Sequence, residues 1–195
     1  MNRRLPLDFS AAMFDVCVDV TRRVPEFRHV RMAEVAVTFA QARRKVAHGL
    51  QAKLTPMRFE SGTLETSLHG KRWTVQRIVV DGREMLYLLT FYLPRFLNHA
   101  FREKLITVFH ELYHISPRFD GDIRRFDGHY HVHSHSQKQY DAHMETLVDK
   151  YLQTSPPAEP LQFLHDDFLT LQRRYGQVVG LQIPIPKLLP VSQSA

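Results

Sequence analysis

The sequence predicts an α+β fold with a small, mostly antiparallel sheet and helices packed against it. Three observations lead there. Apolar residues recur at helical spacing near the start of the chain and again through most of its second half. Alternating apolar runs fill much of 33–92, and one dipeptide, Asp81-Gly82, has the chemistry of a tight hairpin turn between two of them. At 195 residues and 44% hydrophobic content, the chain has the length and apolar content of one domain with a sizeable core.

Taken in order, residues 8–23 carry Phe9, Met13, Val16, Cys17 and Val20 on one helical stripe, which ends at Arg22-Arg23 before Pro25. Ala33 to Phe39 alternates as a strand, and Leu50 to Phe59 does so less cleanly. Trp73 to Val80 and Met85 to Tyr92 flank the turn Asp81-Gly82-Arg83, and Pro94 closes this block. From Phe101 to Ile115 the residues Phe101, Leu105, Val108, Phe109 and Leu112 form a second helical stripe, stopped by Ser116-Pro117 because a residue before proline avoids the helical region. A polar, turn-rich stretch follows to His135. The next helix starts at Ser136, where Ser136 and Gln139 resemble a capping box, and runs through Tyr140, Met144, Leu147, Val148 and Tyr151. After Ser155-Pro156-Pro157 a last helix holds Leu161, Leu164, Phe168, Leu171 and Tyr175 and stops at Gly176; Ile183 to Val191 is an extended tail. The expected organisation is one domain over 1–195, with a core of 1–153 and a C-terminal helix and tail, 154–195, packed on it.

Composition narrows the functions. Mean hydropathy is −0.30, no apolar run approaches the ~20 residues of a membrane span, and Met1-Asn2-Arg3-Arg4 lacks the apolar stretch of a secretory signal. The expectation is a soluble, cytoplasmic chain with no membrane partner. A net charge of +6 comes largely from dispersed pairs such as Arg22-Arg23, Arg124-Arg125 and Arg173-Arg174. These read either as a solubilising surface or as a positive face for nucleic acid. The single cysteine, Cys17, excludes a disulfide framework and a Cys-rich zinc module, so a metal would be held by His and carboxylates. Eight of the twelve histidines lie between His99 and His143, a clustering that asks for a local cause.

That cause begins with His110-Glu111-Leu112-Tyr113-His114, the pattern His-Glu-x-x-His inside the second helical stripe. A spacing of four stacks both imidazoles on one helical face, where they converge on a single ion. Glu111 is turned about 100° from His110, which makes it a base for a metal-bound water rather than a third ligand. A catalytic zinc takes three protein ligands and leaves the fourth position to water. The segment Asp127 to His135 offers His129, His131, His133 and His135 at alternate positions, all on one side of an extended chain. His135 or His133, just before the predicted helix start, is the favoured third ligand. Glu145 on that helix is the alternative, and the unused histidines are orienting groups, a second weak site or polar loop residues. Tyr113 reads as packing or as a group polarising a substrate carbonyl. Asp120 and Asp122 lack the spacing of a calcium loop and read as turn formers or as orienters of a ligand imidazole.

The residues 92–141, with Tyr-Leu-Pro-Arg-Phe-Leu from Tyr92, the helix around His-Glu-Leu-Tyr-His, Phe119 to Phe126 and His133-Ser134-His135-Ser136, resemble the phage-type metallopeptidase family of bacterial and prophage genomes. Leu54 to Phe59 and Ile183 to Lys187 resemble it too, so the likeness spans most of the chain. This resemblance implies a compact zincin-like domain in which His110 and His114 match the motif's ligands and Glu111 its acid/base; the His-x-His-Ser piece singles out His133 and His135. The chain is more distantly similar to SprT and Spartan-type proteases, whose third ligand, fifteen residues after the second, corresponds to His129. With one cysteine, these 195 residues hold no Cys-rich ribbon of the kind seen in that family, so no DNA-linked role is expected from this likeness.

The expected function is therefore a zinc-dependent peptidase acting on a peptide or protein substrate, with Glu111 moving the proton. Other divalent metals suit a His-based site. In zincins a substrate strand lies along a sheet edge, a part that the segment Leu50 to Phe59 is expected to play. The alternatives are a metal-dependent hydrolase of another amide or ester, and a non-catalytic, metal-stabilised module that binds nucleic acid or protein.

Overall fold

The computed structural model describes residues 5–42, 49–125 and 137–191, the side chains of 137–141 apart. Strand β1 (Leu7–Asp8) runs straight into helix α1 (Phe9–Arg23), and the Asp8 carboxylate caps that helix by accepting from the Ala11 N–H at 3.0 Å. The helix buries Phe9, Met13, Val16, Cys17 and Val20, the stripe legible in the sequence, and ends at Val24 ahead of Pro25. Phe9 meets the rings of Phe39, Phe91, Phe96 and Phe163 edge-on, which ties the helix to the sheet below it and to the C-terminal segment.

The strands that follow are β2 (Val35–Gln41), β3 (Ala52–Pro56), β4 (Glu65–Leu68), β5 (Lys71–Val75), β6 (Val79–Val80), β7 (Arg83–Glu84) and β8 (Tyr87–Leu93). The sheet that carries the fold has the order β2-β8-β3. Its longest pairing, β2 with β8, is parallel from Val35↔Tyr87 to Gln41↔Leu93, while β3 is antiparallel to β8. The central sheet is thus mixed, whereas four of the six strand pairs in the described structure are antiparallel.

The turn at Asp81-Gly82 is a hairpin, but it joins only Val79↔Glu84 and Val80↔Arg83. Residues 87–93 do not go on to pair with 73–75. They form a central strand with apolar residues on both faces: Tyr87, Leu89 and Phe91 turn toward the helices, and Leu88 turns to the opposite side with Ala36, Met57 and Met85. Strand β5 pairs instead with β4, around His69-Gly70. Both turns place two residues at positive φ, +51° and +74° at His69-Gly70 and +49° and +76° at Asp81-Gly82, the geometry that suits the twist of a two-residue hairpin.

The second half contains α2 (Phe101–Tyr113), α3 (Gln137–Gln153), α4 (Ala158–Leu161), α5 (Phe168–Tyr175), β9 (Val178–Val179) and β10 (Leu188–Pro190). Ser136, the expected cap of α3, lies outside the described residues. The single helix expected over Leu161 to Tyr175 is broken. After a 3-10 turn at Gln162–His165 the chain leaves helical geometry, and Asp167 starts a new helix by accepting from the Thr170 N–H at 2.7 Å. The break frees two carbonyls for a buried cation: Lys104 Nζ on α2 donates to Leu164 O and Asp166 O, each at 2.8 Å. The tail is extended as expected, and its β10 adds antiparallel to β5, while β9 runs parallel to β1.

Helices α2 and α3 pack through Leu105, Val108, Phe109 and Leu112 on one and Met144, Leu147, Val148 and Tyr151 on the other. Phe109 sits between Phe27 and Tyr151, at ring distances of 5.4 and 5.7 Å. Among the described residues, no helix is long and apolar enough to cross a membrane.

Candidate functional site

Helix α2 forms because Leu105, Val108, Phe109 and Leu112 recur on one face and bury against α3 and the sheet. At its start Glu103 accepts from the Ala100 N–H at 3.1 Å, which satisfies one of the donors left over at a helix N-terminus. The two histidines of the motif lie on the flank of the buried face. Their rings meet edge to face, 4.7 Å apart, with 76° between the planes. His114 is the residue at which the helix ends, yet its backbone keeps helical angles (φ −68°, ψ −17°) and its N–H still points to His110 O at 3.3 Å. The spacing of four therefore holds through the end of the helix.

Glu111 takes a different direction. It is only 9% exposed, and its Oε2 accepts from the backbone N–H of Leu54 at 2.7 Å. The register of β3 explains why that donor is available. Gln51 O accepts from Tyr92 N–H and Met57 N–H donates to Leu86 O, so the odd-numbered residues of this segment turn their backbone toward β8. Leu54 turns its own toward the open edge, and among the described residues no further strand pairs there. Burial pushes the Glu111 carboxyl up to about 7, against the opposing pull of the Leu54 N–H and the Lys53 charge.

The chain beyond His114 folds back along the end of α2. Ile115 and Ile123 form an antiparallel bridge, Ser116 N–H donates to Asp122 O at 3.2 Å, and Arg124 N–H donates to His114 O at 2.6 Å. Asp122, 4% exposed, accepts from Ser61 N–H at 2.9 Å, from Ile123 N–H at 2.8 Å and from Arg125 at 3.1 Å. Of the two roles open to it in the sequence, those contacts are those of a turn former. Tyr113 lies beneath the Arg124 guanidinium, 4.1 Å from ring centre to Cζ, with Phe27 and His143 against its edges. These are packing contacts.

The structure thus brings His110, Glu111 and His114 together on one helix end beside an edge strand. His133 and His135, with His129 and His131, lie outside the described residues. Glu145 is an exposed residue of α3. Among the described residues, no three His, Cys, Asp or Glu side chains gather as a metal-holding group. The paired imidazoles fit two positions of a zinc shell by donor type and by spacing. Three features of the site carry no sequence motif: the Leu54 N–H, which is a backbone group; Arg124, one of many arginines; and His143, whose place beside Tyr113 depends on how α3 packs.

In comparisons with known proteins, the chain matches no family model, no curated protein and no solved structure.

Proposed function

We propose that this chain is a zinc-dependent peptidase in which His110 and His114 hold the ion, with His135 or His133 as the third ligand and Glu111 as general base and acid. The observation that supports this most directly is the end of α2, which carries two imidazoles 4.7 Å apart and, between them in sequence, a carboxylate that is buried and hydrogen-bonded to β3. When bound, zinc supplies a water of lowered pKa and an electrophile for the scissile carbonyl. Glu111 then accepts the proton of the attacking water and passes it to the departing amine. An extended substrate would lie along β3, the edge strand next to this carboxylate.

Glu111→Gln tests the reading. The variant is expected to keep zinc and lose hydrolysis of an unfolded protein substrate such as casein; unchanged hydrolysis would refute it. The same assay on small amide and ester substrates separates a peptidase from a hydrolase of other bonds. If wild type hydrolyses none of these, the binding-module alternative stands, and a nucleic-acid partner would show as affinity that falls steeply with salt.

A further inference from the structure

The second histidine of the motif stands at a weak place. Helix α2 ends at Tyr113, so the carbonyls of Tyr113 and His114 belong to the terminal turn, which lacks intrahelical partners. A ligand on such a turn is only as well placed as whatever holds the turn. Arg124 grips it in three ways. Its Nε donates to Tyr113 O at 2.7 Å, its backbone N–H donates to His114 O at 2.6 Å, and its guanidinium lies over the Tyr113 ring at 4.1 Å. The first two satisfy consecutive carbonyls at the helix end, where a cation is also favoured by the helix dipole. The third stacks the side chain on the ring of the residue before His114, a ring that Phe27 also meets edge to face. In sequence, Arg124 also stands close before the segment that contains His133 and His135.

We propose that Arg124 is a positioning residue of the metal centre, which sets the orientation of His114 by clamping the last turn of α2. The inference rests on the peptidase reading for the presence of a metal, but its measure is metal binding and not turnover. Nothing in the sequence separates this arginine from its neighbour: Arg125, next in the chain, spends its guanidinium on Asp122 in the preceding turn.

The test compares zinc affinity, the cobalt(II) absorption spectrum and the thermal midpoint of the metal-free full chain for wild type, Arg124→Ala and Arg124→Lys. Leu171→Ala, a cavity in α5, serves as a control for general loss of stability. Arg124→Ala is expected to bind zinc about tenfold more weakly and to give a weaker, shifted cobalt band. Leu171→Ala should lower the midpoint and leave both metal readouts as in wild type. Arg124→Lys keeps a cation at the helix end without the planar fork and should fall between; it carries the comparison if the alanine variant does not fold. Wild-type affinity and spectrum in the Arg124 variants would overturn the clamp while leaving the zinc site standing. A loss that merely follows the midpoint, shared by Leu171→Ala, would overturn it too. Wild type that takes up neither metal would overturn the peptidase reading, and the clamp with it.

Discussion

The carboxylate of Glu111 and the backbone N–H of Leu54 are joined by a 2.7 Å hydrogen bond between the end of α2 and the edge of β3. Both groups are shielded from water, so each depends on the other for its partner. Replacing the carboxylate by an isosteric amide leaves an oxygen to accept from Leu54, whereas an apolar side chain leaves the N–H buried and unpaired. Glu111→Gln should therefore unfold close to wild type, and Glu111→Leu should be less stable by about 1–3 kcal/mol. Urea titration of both variants checks this. Equal stabilities would mean that the bond contributes nothing to the fold.

Tyr87 gives a second prediction. Its hydroxyl donates to Asp122 O at 2.9 Å and accepts from Gly121 N–H at 3.0 Å, inside the protein. One side chain of the central strand thus fastens the turn that leads back to the end of α2. Tyr87→Phe removes both bonds and keeps the ring, with an expected cost of about 1–3 kcal/mol in chemical denaturation. The same turn needs Gly121, at φ +86°, because a Cβ there would lie 2.5 Å from Arg58 Cγ. Gly121→Ala should therefore also destabilise, and a neutral result for both variants would show that the turn is free to rearrange.

The helices and the motif were legible in the sequence because each depends on local spacing. The stripe from Phe9 to Val20 and the pair His110 and His114 need only the 3.6-residue turn to be placed. Strand partners are a non-local property. Residues 85–92 and 73–80 have the right turn between them, yet β8 pairs with β2 and β3 and takes the centre of the sheet, where both of its apolar faces are buried. The run Tyr87-Leu88-Leu89, apolar at consecutive positions, was the available sign of a central strand. The break at Asp166-Asp167 also had a local sign, since Asp167 with Thr170 three residues on is an N-cap. Arg124 had none. Its role arises from chain reversal at 116–122, which brings it back to a helix end ten residues upstream.

Cys17 should be inert in the folded protein. The residue is fully buried on α1, and burial alone pushes its thiol up to about 12. At pH 8 this leaves the reactive thiolate about a thousandfold scarcer than in an exposed cysteine. Alkylation with iodoacetamide, followed by mass spectrometry, should be negligible under native conditions and complete in denaturant. Rapid native labelling would contradict the packing of α1 described above.

Lys104 gives the pH dependence. The residue is 1% exposed, and burial draws its pKa down from 10.5 to about 8, against the opposing charges of Asp167 and Asp166. Above 10.5 the amine is neutral in both the folded and the unfolded chain. As pH falls from there toward 8 the unfolded chain takes up the proton first, so the fold loses stability through this window, and below about 8 the loss is complete. Lys104→Met has no such group. It forfeits the two bonds to Leu164 O and Asp166 O at every pH, so it should be less stable than wild type throughout. The gap between them should widen as pH rises from 8 to 10.5, by an amount on the order of 2 kcal/mol. Denaturant titrations of both proteins at the two pH values read this directly, and the difference between proteins cancels the other groups that titrate in the same range. A constant gap would mean that the ammonium is as well solvated by the two carbonyls as it is by water.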